Sequence, residues 1–165
     1  GTDAFRYYFL RHIPSHADCD FSWERFVAVY HGELAGQLGN AVQRVASMIN
    51  RYQQGVIGEF PNPGHDTAPY HEAVANQQFD RALEWVWELV KGLNVYLEQQ
   101  KPWQLAKELD ETHLRDVLAA CVGDIMQSAE LLQPFLPSTA ETIEKIFHDG
   151  YVHNYSGVLF PRIEE

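Results

Sequence analysis

Apolar residues recur at every third or fourth position along three long stretches of this chain, which is the spacing of amphipathic helices. The first stretch covers residues 33–54, the second covers residues 77–100, and the third runs from Asp110 or Thr112 to about Gln133. Joined by shorter helical segments, these stretches predict an all-α protein that folds as an antiparallel helical bundle.

The first long stretch has two distinct faces. Its predicted core face consists of Leu34, Leu38, Ala41, Val42, Val45, Met48, Ile49 and Tyr52. Its polar face consists of Gln37, Asn40, Arg44, Ser47 and Arg51. Because side chains four positions apart lie one above the other on a helix, Asn40 and Arg44 are predicted to be neighbours.

Capping residues, glycine and proline predict where the helices begin and end. Ser22 can cap a short helix, and Gly32 predicts a break between that helix and the first long one. Asn76 is the predicted cap of the second long helix. Pro102 is expected to end that helix and to begin a short one over residues 103–107.

The two ends of the chain are less regular than its middle. Residues 3–11 predict a short helix with an aromatic buried side, and residues 138–141 form a capping-box sequence that predicts the last helix. Residues 55–69 are rich in glycine and proline, which indicates an irregular connection. Residues 151–165 are expected to be extended or irregular, and no convincing strand pattern occurs after residue 20.

The charge is strongly negative and unevenly distributed. The 165 residues carry a formal net charge of −11. Residues 1–59 contain five arginines and six acidic residues, whereas residues 60–165 contain seven lysines or arginines and seventeen acidic residues. A surface that binds nucleic acid through bulk electrostatics is therefore not expected. Asn40 and Arg44 lie in the part that is nearly neutral.

Hydropathy and cysteine usage indicate the compartment. No apolar stretch approaches the about 20 residues that span a bilayer, and the sequence shows no signal peptide. Cys19 and Cys121 lie far apart and form no motif, which indicates inert thiols in a reducing compartment. We therefore expect a cytoplasmic protein without membrane association.

No set of titratable residues forms a recognisable active site or metal site. The eight histidines are scattered, and His65, His71 and His148 each lack the partners of a hydrolase or zinc-binding motif. The sequence has no glycine-rich phosphate loop and no nucleophile elbow. We expect neither catalysis nor a bound metal or cofactor from these residues.

Three residues are candidates for contacts with RNA bases. The Asn40 amide and the Arg44 guanidinium can hydrogen-bond base edges, and a guanidinium can also stack on a base. Trp103 follows Pro102 at a helix break, so a rigid turn aims its ring, which can stack on an unpaired base. The alternatives are a solvated helix face for Asn40 and Arg44, and a core position at the end of the bundle for Trp103.

Several short motifs occur together and in order, and they carry a family resemblance. They are Asp3-Ala-Phe-Arg-Tyr-Tyr-Phe-Leu-Arg11, Asp20-Phe-Ser22, Glu33-Leu-Ala35, Leu38-Gly-Asn40 with Arg44, Asn94-Val-Tyr96, Pro102-Trp-Gln-Leu-Ala-Lys107, Pro134-Phe-Leu-Pro137 with Thr139-Ala-Glu141, and Leu159-Phe-Pro-Arg-Ile-Glu164. In this combination the chain resembles, over its full length, the C-terminal half of methionyl-tRNA synthetases, which are class I aminoacyl-tRNA synthetases. The Leu-Gly-Asn motif is similar in the isoleucyl, valyl and leucyl enzymes, whereas the Pro-Trp motif and the chain ending favour the methionyl family.

The resemblance implies a domain division, a partner and three site residues. Residues 1–20 would be the end of the stem-contact region, and residues 21–165 would be the helical anticodon-binding domain. In the family, an asparagine and an arginine four residues apart read anticodon bases, and a tryptophan after a proline stacks on one. These roles are thereby implied for Asn40, Arg44 and Trp103. The implied partners are the tRNA anticodon loop and an N-terminal catalytic domain of the same chain.

The sequence departs from the family pattern in one large respect. The nucleotide-binding half is missing, together with its HIGH-like and KMSKS-like motifs and its cysteine-rich zinc insertion. We therefore expect a fragment that is not a ligase by itself, with ATP a cofactor only of the parent enzyme and its aminoacylation of tRNA. The alternatives are the equivalent domain of an isoleucyl, valyl or leucyl enzyme, and a helical module that binds proteins.

Overall fold

A computed structural model describes residues 1–13, 21–153 and 158–163. Cys19 lies outside these residues. The described part is a helical bundle, which confirms the predicted all-α fold. Its helices are α1 (Thr2–His12), α2 (Trp23–Val29), a π-helix π1 (Tyr30–Gly39), α3 (Asn40–Gln53), α4 (Ala68–Ala75), α5 (Phe79–Gln100), α6 (Pro102–Glu108), α7 (Glu111–Leu132) and α8 (Pro137–Ile146).

The two longest helices, α5 and α7, pack against each other at the centre of the fold. Helix α5 also contacts α1 and α4, whereas α7 also contacts α3, α6 and α8. Trp87 on α5 is completely buried. Among the described helices, none has both the length and the apolar character that a membrane crossing requires.

The predicted break at Gly32 is wrong. Helices α2, π1 and α3 follow one another directly, so one helical rod runs from Trp23 to Gln53. A glycine permits a break but does not require one. Here the chain stays helical, and its backbone hydrogen bonds change from the α-helical to the π-helical pattern. π-Helices are rare and mostly single-turn. A Cβ on Gly36 would lie only 2.8 Å from the His31 carbonyl oxygen, so this close approach explains the glycine.

The cap predicted at Ser22 forms, Asp110 caps α7 in the same way, and the cap predicted at Asn76 does not form. The Ser22 hydroxyl oxygen accepts a hydrogen bond from the Arg25 backbone N–H over 3.3 Å. A carboxylate oxygen of Asp110 likewise accepts from the His113 backbone N–H over 3.2 Å at the start of α7. Asn76 was expected to cap α5, but it follows the end of α4, and α5 begins later, at Phe79.

The predicted capping box at residues 138–141 is also wrong. Helix α8 begins at Pro137, and within the described residues its own side chains supply no cap. Asp3 on α1 takes that role, because the Thr139 backbone N–H and hydroxyl both donate to Asp3 Oδ2, over 2.8 and 2.9 Å. The cap comes from the other end of the chain, where local sequence spacing cannot reveal it.

Helix α1 is attached firmly to the rest of the bundle. Its Arg6 side chain donates to the carbonyl oxygens of Pro134 and Phe135, over 2.8 Å in each case. Its Tyr7 and Tyr8 are buried in the same core as the other helices. Helix α1 therefore shares one hydrophobic core with the bundle, and the domain boundary at residue 20 stays a prediction.

The C-terminal part contains a small hairpin that the sequence did not predict. Strand β1 (Phe147–His148) pairs antiparallel with β2 (Tyr151–Val152). Two residues are too few to create an alternating pattern, so periodicity cannot reveal such strands. Further on, the Tyr30 hydroxyl donates to the Pro161 carbonyl oxygen over 2.7 Å, which fastens the tail to π1.

Candidate nucleic-acid interface

Arg44 and Trp103 meet where α3 passes the beginning of α6. The guanidinium carbon of Arg44 lies 5.5 Å from the centre of the Trp103 ring, a distance typical of a cation–π contact. Asn40 is the first residue of α3 and stands one turn before Arg44 on the same helix. The fold therefore brings Arg44 and Trp103 into contact, and helical spacing places Asn40 next to Arg44. All three side chains are partly exposed.

A tight turn positions Trp103. Lys101 adopts a left-handed conformation with φ of 48°, which ends α5, and Pro102 then occupies the start of α6. A proline at this position is pre-organised for a new helix because its φ angle is fixed. At the other end, Leu109 is also left-handed, with φ of 60°. Helix α6 is thus a short reoriented segment that presents its tryptophan to α3.

Glu98 is a further member of the site that sequence reasoning missed. Its Oε1 lies 2.7 Å from Nη2 of Arg44, and the two side chains are 62% and 31% exposed, respectively. Exposed ion pairs contribute only about 0–1 kcal/mol, so this pair orients Arg44 more than it stabilises the fold. The sequence did place Glu98 close to Trp103, because Glu98 lies in the last turn of α5 just before Pro102. No spacing along the chain links it to Arg44.

A close approach explains the glycine that precedes Asn40. Phe160 of the C-terminal tail is buried, and a Cβ on Gly39 would lie 3.1 Å from its Cδ2 atom. A larger residue at position 39 would therefore push the tail away from π1. The tail packs directly behind the point where Asn40 enters α3, so it supports this end of the helix.

The arrangement offers both stacking and hydrogen-bonding groups. The guanidinium of Arg44 has five N–H donors. The carboxylate of Glu98 contacts only its Nη2 group. The Asn40 amide supplies two donors and an acceptor. The part of the Trp103 ring that Arg44 does not cover is an apolar surface for a planar ligand. These are groups that recognise an unpaired base.

A second polar cluster joins α1 to π1. The Glu33 carboxylate accepts hydrogen bonds from the Tyr7 hydroxyl and from Nε of Arg11, at 3.1 Å, and it lies 3.2 Å from Nε2 of His12. Burial alone would raise the Glu33 pKa. The hydrogen bonds from His12 and Tyr7 and the charges of His12 and Arg11 more than offset this and lower the pKa to about 2. Glu33 is therefore an ionised anchor and unsuited to act as a general base at neutral pH.

Two of the histidines considered above, His65 and His148, lie against acidic side chains. Nε2 of His65 lies 2.8 Å from a carboxylate oxygen of Asp124, and Nε2 of His148 lies 3.0 Å from Asp149. In the described ranges, no three histidine, cysteine or acidic side chains gather closely enough to hold a metal ion.

Burial, followed by the negative charge of Asp124, raises the pKa of Cys121 to about 12, so its thiol stays protonated and unreactive at neutral pH.

Comparison with known sequences gives a consistent set of relatives. A family model described as tRNA synthetases class I (M) matches residues 1–46. The methionine–tRNA ligase of Bacillus subtilis is 36% identical over 154 residues, which are 86% of this chain and 23% of that protein. The corresponding ligase of Streptococcus pyogenes serotype M3 is 33% identical over 156 residues, 87% of this chain and 24% of the ligase.

Comparison with solved structures gives the same family as the comparison with known sequences. The apo form of Mycobacterium tuberculosis methionyl-tRNA synthetase superposes with a TM-score of 0.82 and 27% identity, over 100% of this chain and 39% of that one. The same enzyme bound by methionyl-adenylate gives a TM-score of 0.84 at 27% identity, over 98% of this chain and 38% of that one. The chain spans about a quarter of the length of the curated relatives that it matches. In sequence and in fold, this chain is homologous to part of the methionyl-tRNA synthetases, which are class I tRNA synthetases.

Proposed function

We propose that this chain is the anticodon-binding region of a methionyl-tRNA synthetase. The observation that carries the proposal is the contact between Arg44 and Trp103, at 5.5 Å, on the exposed side of α3 and α6. The relatives are named methionine–tRNA ligases, so tRNA is the nucleic acid that such a site would serve. Activation and transfer of methionine would belong to the part of the enzyme that this chain does not contain.

Each of the three residues has a separate role in this proposal. The Trp103 ring stacks on an anticodon base, and Arg44 on its other side contributes charge and donors. The Asn40 amide pairs with a base edge one helical turn away. Single-stranded loops expose bases that can be splayed apart in this way, whereas a duplex does not.

The electrostatics favour reading of bases over general attraction to phosphates. With a net charge of −11, the chain gains little from its overall field when it binds RNA. Near Trp103 the Arg44 charge is itself balanced by Glu98. Affinity should therefore depend mainly on stacking and hydrogen bonds, and it should fall only mildly as salt increases.

Tryptophan fluorescence tests the proposal. An anticodon stem-loop of methionine type should quench part of the emission of the chain, because a stacked base quenches Trp103. Trp103→Ala should abolish this quench and weaken binding by about 1–3 kcal/mol, the usual range for one stacked base. Trp103→Phe should remove the quench yet retain part of the affinity.

Trp23→Phe is the matched control. Trp23 is exposed but lies at the far end of the helical rod, so the stem-loop should quench this variant as it does the parent. Thermal unfolding of each variant shows that binding is compared between folded proteins. Equal stem-loop affinity of Trp103→Ala and the parent would contradict the proposal.

A further inference from the structure

Asn94 on α5 contacts the helical rod just before Asn40. Its Nδ2 group donates one hydrogen bond to the Gln37 carbonyl oxygen, over 3.4 Å, and another to the Val90 carbonyl oxygen, over 2.9 Å. Both hydrogens of the amide nitrogen are therefore used. The bond to Val90 lies within α5 and orients the amide. The bond to Gln37 crosses to π1, 57 positions away in the chain.

The same carbonyl oxygen of Gln37 also holds the backbone of Asn40. The Asn40 N–H donates to the carbonyl oxygens of both Ala35 and Gln37, at the point where π1 ends and α3 begins. A carbonyl oxygen has two lone pairs, so it can accept from Asn40 and from Asn94 together. Asn94 therefore contacts the atom that anchors the backbone of a candidate base-reading residue.

The segment that leads into Asn40 carries features that are unfavourable for stability. A π-helical pattern is rare, and π-bulges inside α-helices occur frequently at functional sites. The side-chain Oε1 of Gln37 is buried, and it has no hydrogen-bond partner among the described residues. Such an unpaired acceptor destabilises a fold. Costs of this kind gathered directly before Asn40 indicate that the direction of its side chain is what this segment serves.

Helix α5 holds the two candidate residues of the rod from one side. Glu98 follows Asn94 by four positions, so their side chains lie on the same face of α5. Glu98 contacts the side chain of Arg44 at 2.7 Å, whereas Asn94 contacts the backbone that leads into Asn40. One face of α5 thus sets the position of Asn40 and of Arg44 through two separate contacts.

We propose that Asn94 is a positioning residue for base recognition: it holds the Gln37 carbonyl, fixes the junction of π1 and α3, and so directs the Asn40 amide at its base. This inference rests on the proposed function for the role of Asn40. The Trp103 ring is positioned by the turn at Pro102. Loss of Asn94 should therefore impair the reading of one base and leave the stacking on Trp103 intact.

Binding of anticodon stem-loops tests this role. Asn94→Leu keeps a similar side-chain volume but cannot donate, so it should weaken binding of a methionine-type stem-loop by about fivefold in Kd, the size of one hydrogen bond. Asn94→Gln keeps the amide donor and should recover part of the affinity. The quench of Trp103 at saturation should stay as in the parent.

Discrimination between bases is the sharper measurement. A set of stem-loops that each change one anticodon base identifies the base at which Asn40→Ala no longer discriminates. Asn94→Leu should lose discrimination at that same base and keep it at the others. A general loss of structure would instead weaken all stem-loops alike.

A double-variant comparison separates positioning from loss of structure. In an Asn40→Ala background, Asn94→Leu should change Kd by less than about twofold, because the group that it positions is already absent. In a Trp103→Ala background the fivefold effect should remain. Thr142→Ala is the control, since it removes an exposed hydroxyl that donates to the Ser138 carbonyl oxygen within α8. It should leave the affinity unchanged.

Amide hydrogen exchange measures the junction without RNA. In Asn94→Leu the backbone amides of Gly39 and Asn40 should exchange about fivefold faster than in the parent, because the junction has lost one hydrogen bond. The amides of α7 should exchange at the parent rate, which shows that the effect is local.

Several results would overturn the positioning role. They are equal affinity of Asn94→Leu and the parent, an undiminished effect of Asn94→Leu in the Asn40→Ala background, no recovery by Asn94→Gln, and unchanged exchange at Asn40. If the parent chain binds no stem-loop, the proposed function fails separately, and the exchange rates still decide whether Asn94 holds the junction.

Discussion

Glu98 and Arg44 form an ion pair of 2.7 Å between α5 and α3. The same guanidinium lies against the Trp103 ring, so its position is set from two sides before any ligand arrives. A base that takes a hydrogen bond from Nη2 of Arg44 must share this group with Glu98 or displace the carboxylate. The carboxylate also places a negative charge where RNA would approach. Glu98 is thus expected to limit affinity.

Replacing Glu98 with glutamine should therefore tighten stem-loop binding. An exposed ion pair contributes about 1 kcal/mol or less, so the gain should be up to about fivefold in Kd. The salt dependence should become steeper, because the charge of Arg44 is no longer balanced. Titration of the fluorescence quench at two salt concentrations measures both effects.

Glu84→Gln, at an exposed position nearer the start of α5, is the control and should change neither the affinity nor its salt dependence. Weaker binding by Glu98→Gln would contradict the prediction and show that Glu98 chiefly holds Arg44 in place.

Arg44→Ala should weaken stem-loop binding by about 1–3 kcal/mol, since it removes contacts to a base. The fold should lose only about 1 kcal/mol, because an exposed ion pair and a cation–π contact are each weak. Arg44→Lys keeps the charge but not the planar fork of donors, so it should restore only part of the affinity. Binding titrations and urea unfolding separate the two effects.

The control is Arg51→Ala, which removes an exposed arginine two turns further along α3. It should leave both stem-loop affinity and stability close to those of the parent. If Arg44→Ala destabilises the fold strongly and binds RNA normally, Arg44 is a structural residue and the proposed site is wrong.

Glu33 should make stability sensitive to acid. Its pKa is about 2 in the fold, below the value of about 4.3 in an unfolded chain. A lowered folded pKa adds stability above the unfolded value, and this stability is lost as the pH falls from about 5 through 2. Glu33→Gln should therefore be less stable than the parent at pH 7, and its stability should change less between pH 5 and 2.

Urea unfolding at several pH values measures this difference. Tyr7→Phe removes one hydrogen bond to Glu33 and leaves the carboxylate, so it should show a smaller pH dependence than the parent but a larger one than Glu33→Gln. Parallel curves for Glu33→Gln and the parent between pH 5 and 2 would show that Glu33 contributes nothing to acid sensitivity.

The chain by itself should not activate methionine. Its sequence contains no nucleotide-binding loop, and such activation requires a site for ATP. Methionine-dependent exchange of pyrophosphate into ATP should equal the blank with the purified chain, whereas the full-length Bacillus subtilis relative serves as the positive control. Exchange above the blank that scales with the amount of chain would contradict this prediction.

Local sequence determined where most helices lie and where several of them begin. A buried helix face repeats at a fixed spacing, so residues 33–54 and 77–100 revealed their core positions directly. Ser22 and Asp110 act as caps through hydrogen bonds to backbone groups three residues away, and these are visible in the sequence. Pro102 marked the start of α6 because its ring restricts the backbone locally.

Local signals failed where a distant segment decided the outcome. Gly32 permits a break, but the rod continues through π1, against which the C-terminal tail packs through Phe160. The capping-box sequence near α8 was overruled because Asp3 reaches Thr139 from the far end of the chain. Neither contact leaves a pattern in the residues nearby.

The candidate site, too, was predicted in part from the sequence and completed only by the tertiary structure. The motifs of this chain resemble the synthetase family closely enough to single out Asn40, Arg44 and Trp103, and helical periodicity alone places Asn40 beside Arg44. Only the tertiary structure brings Trp103 on α6 against Arg44 on α3 and adds Glu98 from α5. The physical reason is that side chains on different helices meet through packing of the whole core, and the spacing of residues along one helix carries no information about that packing.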